Sequence, residues 1–212
     1  MIDVQPIAYS LRNDTLVTSL LLVSFIIIAM ALSLTREYLS REAQSFLYTK
    51  DYSNFYHSSV EINFQLLLCL QTIAMCALSA FAIWGKGNVW SLAGIFTIYF
   101  FGKYILYYVV NSTFFDQKQV KNWDHIFSML TVFEGLILFP VVVLQVYVGW
   151  SVKVTLICIA VIVFSTKLLS IYKSFNIFFA QTGGFLQIIL YFCTLEVIPA
   201  FILYGMLIKN IG

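Results

Sequence analysis

Two lysines and two glutamates, Lys103, Glu134, Lys167 and Glu196, stand inside long apolar runs. An isolated charge deep in a bilayer costs at least about 2.5–3.5 kcal/mol, so such groups face a protein interior and pair with one another. Three uses are open to this set. The pairs lock helices together, or the carboxylates bind or relay a proton or cation with the lysines as counter-ions, or the lysines centre a site for an anion or lipid headgroup. Glu196 sits in CTLEVIPAF (193–201), three residues before Pro199, and Glu134 sits six residues before Pro140. Each proline frees a carbonyl about one turn earlier, at Leu136 and Leu195, beside the glutamates in sequence. Such breaks are tolerated in a membrane helix where neighbouring polar groups compensate.

The spacing of these residues points to a repeat. FFGKYILYYVVNSTFF (100–115) aligns with FSTKLLSIYKSFNIFF (164–179), and Lys103 and Lys167 each precede a Phe-Phe pair by eleven and twelve residues. The only carboxylate of the following apolar segment comes 31 residues after Lys103 and 29 after Lys167. A unit of two helices re-enters the membrane from the same side, so the repeat is parallel. The first hairpin offers a divergent third copy, with Arg36 at the lysine position and Gln65 and Gln71 in place of a carboxylate. At 1.5 Å per residue each lysine and the glutamate after it lie at similar depth, roughly 12–14 Å from one face. Lys103 is therefore expected against Glu134, and Lys167 against Glu196.

Other polar residues follow helical spacing and turn the same way. Tyr99, Lys103, Tyr107 and Asn111 recur at i+4, and Thr131, Glu134 and Gln145 share a face one segment later. Gln65, Cys69, Thr72, Cys76 and Ser79 line one side of the second segment, with small Ala74, Ala77 and Ala80 nearby to permit close helix approach.

The elements that must carry these residues follow from composition. Of 212 residues, 61% are hydrophobic and 10% charged, against about 45–50% and about 25% in a soluble domain. A helix crossing the hydrocarbon core needs about 20 apolar residues. Six stretches qualify, at about 16–34, 62–84, 89–111, 125–148, 152–172 and 185–208. The first reads as a retained helix rather than a cleaved signal, because its apolar run is long and its N-terminal flank mixed in charge. The fold class is thus all-α: a polytopic membrane protein, one integral membrane domain over 1–212. It is a bundle of six transmembrane helices arranged as three hairpins, with helices 3–4 and 5–6 as the internal repeat. The tight turns at 85–88 and 149–151 make helices two and three, and four and five, antiparallel neighbours. The longest connection, 35–61, is charged and rich in aromatics suited to the headgroup layer, as an amphipathic helix along the membrane would be. Six basic residues against four favour loops one, three and five in the cytoplasm, with both termini outside.

Several function classes fall away. A net charge of +2 without a basic cluster gives nucleic acid nothing to hold. His57 and His125 have no partner at metal-ligand spacing, and the four cysteines lie in apolar runs without a CxxC pair. No HExxH, GxSxG or Gly-rich phosphate loop is present, so neither catalysis nor a cofactor is expected.

The C-terminal third resembles the DUF4271 family of small polytopic proteins from Bacteroidota, most specifically at YFCTLEVIPAFILY, where Glu196 and Pro199 map onto the signature. The resemblance implies a bacterial inner-membrane protein with a multi-helix bundle, and it implies no activity. Two roles are then expected. The first is a non-catalytic subunit or scaffold, its partners being the lipid bilayer and other cell-envelope membrane proteins. The second is a small ion- or proton-coupled transporter built on the Lys–Glu pairs.

Overall fold

Long apolar runs bounded by capping residues become the helices. In the computed structural model, residues 14–34, 59–84, 88–175 and 193–211 are described. The helices are α1 (Thr15–Leu34), α2 (Ser59–Trp84), α3 (Val89–Phe114), α4 (Gln117–Val143), α5 (Val152–Ser174) and α6 (Ile198–Ile211). Among the described residues there is no strand. Asp14 caps α1 by accepting from the Leu16 N–H at 3.0 Å, and Asn88 caps α3 by accepting from the Trp90 N–H at 3.1 Å. Each side chain takes up a donor that the first helical turn leaves unpaired. Among the described residues, five helices are long and apolar enough to cross a membrane, as a multi-pass membrane protein requires: α1, α2, α3, α4 and α5. The sixth expected span, 185–208, falls partly outside the described residues, as do most of the 35–61 connection and the Phe-Phe pair at 178–179.

α4 begins eight residues earlier than the apolar pattern indicates. Its first turns, QKQVKNWD, are polar and precede the apolar stretch at 125–148. Asp116 starts the helix instead, its N–H donating to Gln119 Oε1 at 3.4 Å. With the wide π-helical turn Leu144–Val148 that continues it, α4 extends about 48 Å at 1.5 Å per residue, well beyond a hydrocarbon core of about 30 Å. Its polar start therefore reaches past the apolar layer, where hydropathy cannot mark a helix. Lys173, one residue past the apolar stretch at 152–172, lies in the last turn of α5 and is buried. Gly149, at φ +76°, ends the wide turn in the left-handed conformation that glycine adopts without a Cβ penalty.

The centre of the bundle is the pair α2 and α4. Thr72 Oγ1 donates to the Thr131 carbonyl at 3.0 Å and Cys69 Sγ contacts the Ser128 carbonyl at 3.8 Å, while Gln65 bonds Ser128. Residue numbers rise together along both helices, so α2 and α4 run parallel, as alternate helices of an up-and-down chain do. The polar stripe on α2 faces α4. Beyond it, Met75, Leu78 and Ala82 pack with Leu138, Val142 and Val146 and with Val17 and Leu21 of α1. Gly135 permits this approach, since a methyl group there would overlap Oγ1 of Thr72 and lie 2.8 Å from its Cβ.

The helix partnerships confirm two of the expected neighbours and redraw another. α2 does pack on α3 and α4 on α5, while residues 85–87 of the first turn lie outside the described residues. α6, however, packs along α3 rather than along α5, with Leu203 and Leu207 against Leu92, Ala77 and Ala80. The all-α architecture is thus present among the described residues, whose six helices do not lie as three successive hairpins. The small side chains of Ala77 and Ala80 on α2 leave room for Leu203 and Leu207 of α6.

Candidate functional site

The charged residues gather where α3, α5 and the start of α6 meet. Lys103 and Tyr107 lie one turn apart on α3 and share a face, as i+4 spacing dictates. Lys167 projects from α5. Glu196 comes from Cys193–Val197, a π-helical turn that leads into α6. Pro199 follows closely and is buried. It has no N–H to give the Leu195 carbonyl, so the backbone there is freed from α-helical pairing. Single wide turns of this kind recur at functional positions.

Three donors converge on this one carboxylate. Lys103 Nζ lies 2.5 Å and Lys167 Nζ 3.1 Å from Glu196 Oε2, and the Tyr107 hydroxyl donates to Oε1 at 2.7 Å. Lys103 is 2% exposed, Glu196 12% and Lys167 31%. The Lys103 ammonium also sits 5.7 Å from the ring centres of Tyr107 and Phe127, within cation–π range. Beneath it, the Tyr107 ring packs 5.4 Å from Trp123 and 5.5 Å from Phe127, with Leu195 and Ile126 closing the cluster. A cation, an aromatic box and a hydrogen-bonded carboxylate thus tie α3, α4 and α6 together.

The pairing differs from the expected one. Lys167 does meet Glu196, but Lys103 crosses to the same carboxylate instead of pairing with Glu134. Lateral placement, which puts α6 against α3, decided the partner. Glu134 is 9% exposed and, among the described residues, takes part in no hydrogen bond or ion pair. It lies in the field of Lys167 and Lys103 without touching either.

The remaining sequence candidates separate into members of the cluster and bystanders. Tyr107 is a direct donor to Glu196. Tyr99, one turn before Lys103, packs edge-on to Phe100 at 5.4 Å. Asn111 is fully buried further along the same stripe, and its carbonyl accepts from the Phe115 N–H at 2.9 Å to close α3. Gln145 is 2% exposed but lies in the far wide turn of α4, three turns from Glu134. Pro140 is exposed within α4, whereas Pro199 is buried beside the site. Trp123, Phe127 and Gly135 escaped the sequence reading. An aromatic or a glycine inside a helix of this composition carries no distinguishing signal, although Gly135 directly after Glu134 is a small residue where helices approach.

Two substitutions test this geometry. Tyr107→Phe removes one hydrogen bond to a charged acceptor and is expected to cost about 1.5–3 kcal/mol of stability in detergent. Lys167→Met is expected to cost no more than about 1 kcal/mol, because the lysine is partly exposed and Glu196 keeps Lys103 and Tyr107. Thermal unfolding of both variants checks the order; a larger loss from Lys167→Met would mean that Lys103 does not hold Glu196.

Comparison with known families places the chain against one model. A family model described as a domain of unknown function (DUF4271) matches residues 17–207, nearly the whole chain and at least part of every described helix. No curated protein and no solved structure matches it.

Proposed function

The chain belongs to the DUF4271 family, whose description assigns no activity, and from its own residues we propose a non-catalytic integral membrane protein that serves as a subunit or scaffold for other cell-envelope proteins. We place it in a bacterial inner membrane, with both termini on the outer side. The observation that carries this reading is the convergence of Lys103, Lys167 and Tyr107 on Glu196. Direct contacts of this kind hold helices in a fixed relation. The repeat enters the same reading: Lys103 and Lys167 occupy corresponding places in α3 and α5 and converge on one anion. The outer surfaces add support, because only 11% of the α3 and α5 spans is buried, against 56% of α2. Those apolar faces are open to lipid and to other membrane helices. Purification of the tagged chain in a mild detergent tests the reading, with a stoichiometric membrane partner as the expected result. A lone, monodisperse chain would count against it.

A second reading, a small proton- or ion-coupled transporter, is favoured by one specific observation. Glu134 is a buried carboxyl beside the cluster with no bonded partner among the described residues. Proton or cation flux in vesicles containing the purified chain tests it, and vesicles no leakier than protein-free controls would remove it.

A further inference from the structure

The two glutamates have opposite surroundings. Glu196 receives two ammonium groups and a hydroxyl; Glu134, near the middle of α4, receives none among the described residues. A carboxylate left bare in an apolar interior is costly, and such a group ordinarily becomes neutral by taking a proton. From every helix packed around Glu134 the ionisable groups that face it are few. α2 presents the Cys76 thiol, α3 presents Lys103 and Tyr99, α5 presents Lys167, and the turn before α6 presents Glu196. α1 carries no ionisable residue over Thr15–Leu34.

Only one of these cations is able to change partner cheaply. Lys103 is buried and bonded to Glu196 at 2.5 Å under the aromatic box. Lys167 is 31% exposed and makes the longer contact, 3.1 Å. If Lys167 leaves, Glu196 still holds Lys103 and Tyr107. We propose that Glu134 is a proton-binding site, protonated while Lys167 pairs with Glu196 and ionised when Lys167 turns to it. In that exchange the carboxyl O–H bond breaks, its electron pair stays on the carboxylate, and the proton leaves to water. The Lys167 ammonium then supplies the positive charge that the proton had supplied. This deepens the proton-coupled reading and rests on it for what the proton does. Glu196 is then the anchor and Glu134 the exchanging group.

The test uses the full chain in lipid nanodiscs at neutral pH, treated with dicyclohexylcarbodiimide. This apolar reagent enters membranes, and the O–H of a protonated carboxyl adds across its C=N bond before rearranging to a stable N-acylurea. Peptide mass spectrometry should find Glu134 modified at least about tenfold more than Glu196, because a lysine-paired carboxylate stays ionised. Equal modification of the two, or preference for Glu196, overturns the proposal. So does loss of the Glu134 adduct on adding sodium or potassium at fixed pH, which would make it a metal-cation site. With Lys167→Met, labelling of Glu134 should persist to more alkaline pH than in the unaltered chain; an identical pH profile overturns the exchange. Proton flux decides the transport reading separately, since a labelled Glu134 without flux leaves the site standing and removes that use of it.

Discussion

Glu196→Gln is expected to be the most damaging single substitution in the membrane domain, lowering stability by about 3–5 kcal/mol. That is the range for removing one member of a buried charge group and leaving its partner uncompensated. The sign follows from the geometry. Glu196 is the common acceptor of Lys103, Lys167 and Tyr107, so the neutral amide strands a lysine that is 2% exposed. Lys167 can turn its ammonium toward the headgroups on a flexible stem, but Lys103, enclosed by Tyr107 and Phe127, has no such route. Adding Lys103→Met to Glu196→Gln should therefore recover much of the loss, because it removes the stranded charge rather than restoring a bond. Unfolding of the single and double variants in the same detergent measures this coupling. A Glu196→Gln protein within about 1 kcal/mol of the original, the scale of an exposed ion pair, would show that the cluster does not hold α6 in place.

Gly135→Ala has the second largest expected effect, and its cause is steric. The α2–α4 interface closes at Gly135, where an added methyl would overlap the Thr72 hydroxyl and come within 3.0 Å of the Thr72 Cα. A rotamer change relieves the hydroxyl, but the backbone contact persists, so the helices must separate. Overpacking costs about 1–3 kcal/mol in well-packed interiors, and separation would also stretch the Thr72–Thr131 and Cys69–Ser128 contacts on either side. The upper part of that range is expected for Gly135→Ala. By contrast, Gly102→Ala and Gly94→Ala meet no neighbour and should be neutral or slightly stabilising. Thr72→Gly combined with Gly135→Ala should restore part of the loss. A Gly135→Ala protein as stable as the Gly102→Ala protein would refute the close approach.

Much of the candidate site was legible in the chain, for a physical reason that does not depend on the fold. A charge in an apolar helix must turn inward, so Lys103, Glu134, Lys167 and Glu196 identified themselves by cost alone. The i+4 stripe of Tyr99, Lys103, Tyr107 and Asn111 likewise followed from helical periodicity, and Tyr107 is a donor within it. What failed was partner choice. Residues at the same depth on six helices are all possible partners along the membrane normal, and hydropathy contains no information about neighbours in the membrane plane. The polar start of α4 failed for a related reason, since a helix that continues past the apolar layer keeps its hydrogen bonds but loses its hydrophobic mark.

The sequence by itself determined that this is a membrane protein of apolar helices, and it singled out Lys103, Glu134, Lys167 and Glu196 as charges within them. Transfer free energy along one axis is enough for that. The burial of Lys173, 3% exposed, escaped the sequence reading. Only the tertiary structure decided that α6 lies on α3, that two lysines share Glu196, and that Glu134 is left beside them without a bonded partner among the described residues. Those outcomes depend on how closely helices approach, at Gly135 and at Ala77 and Ala80, and close approach is a property of pairs of surfaces rather than of any one segment.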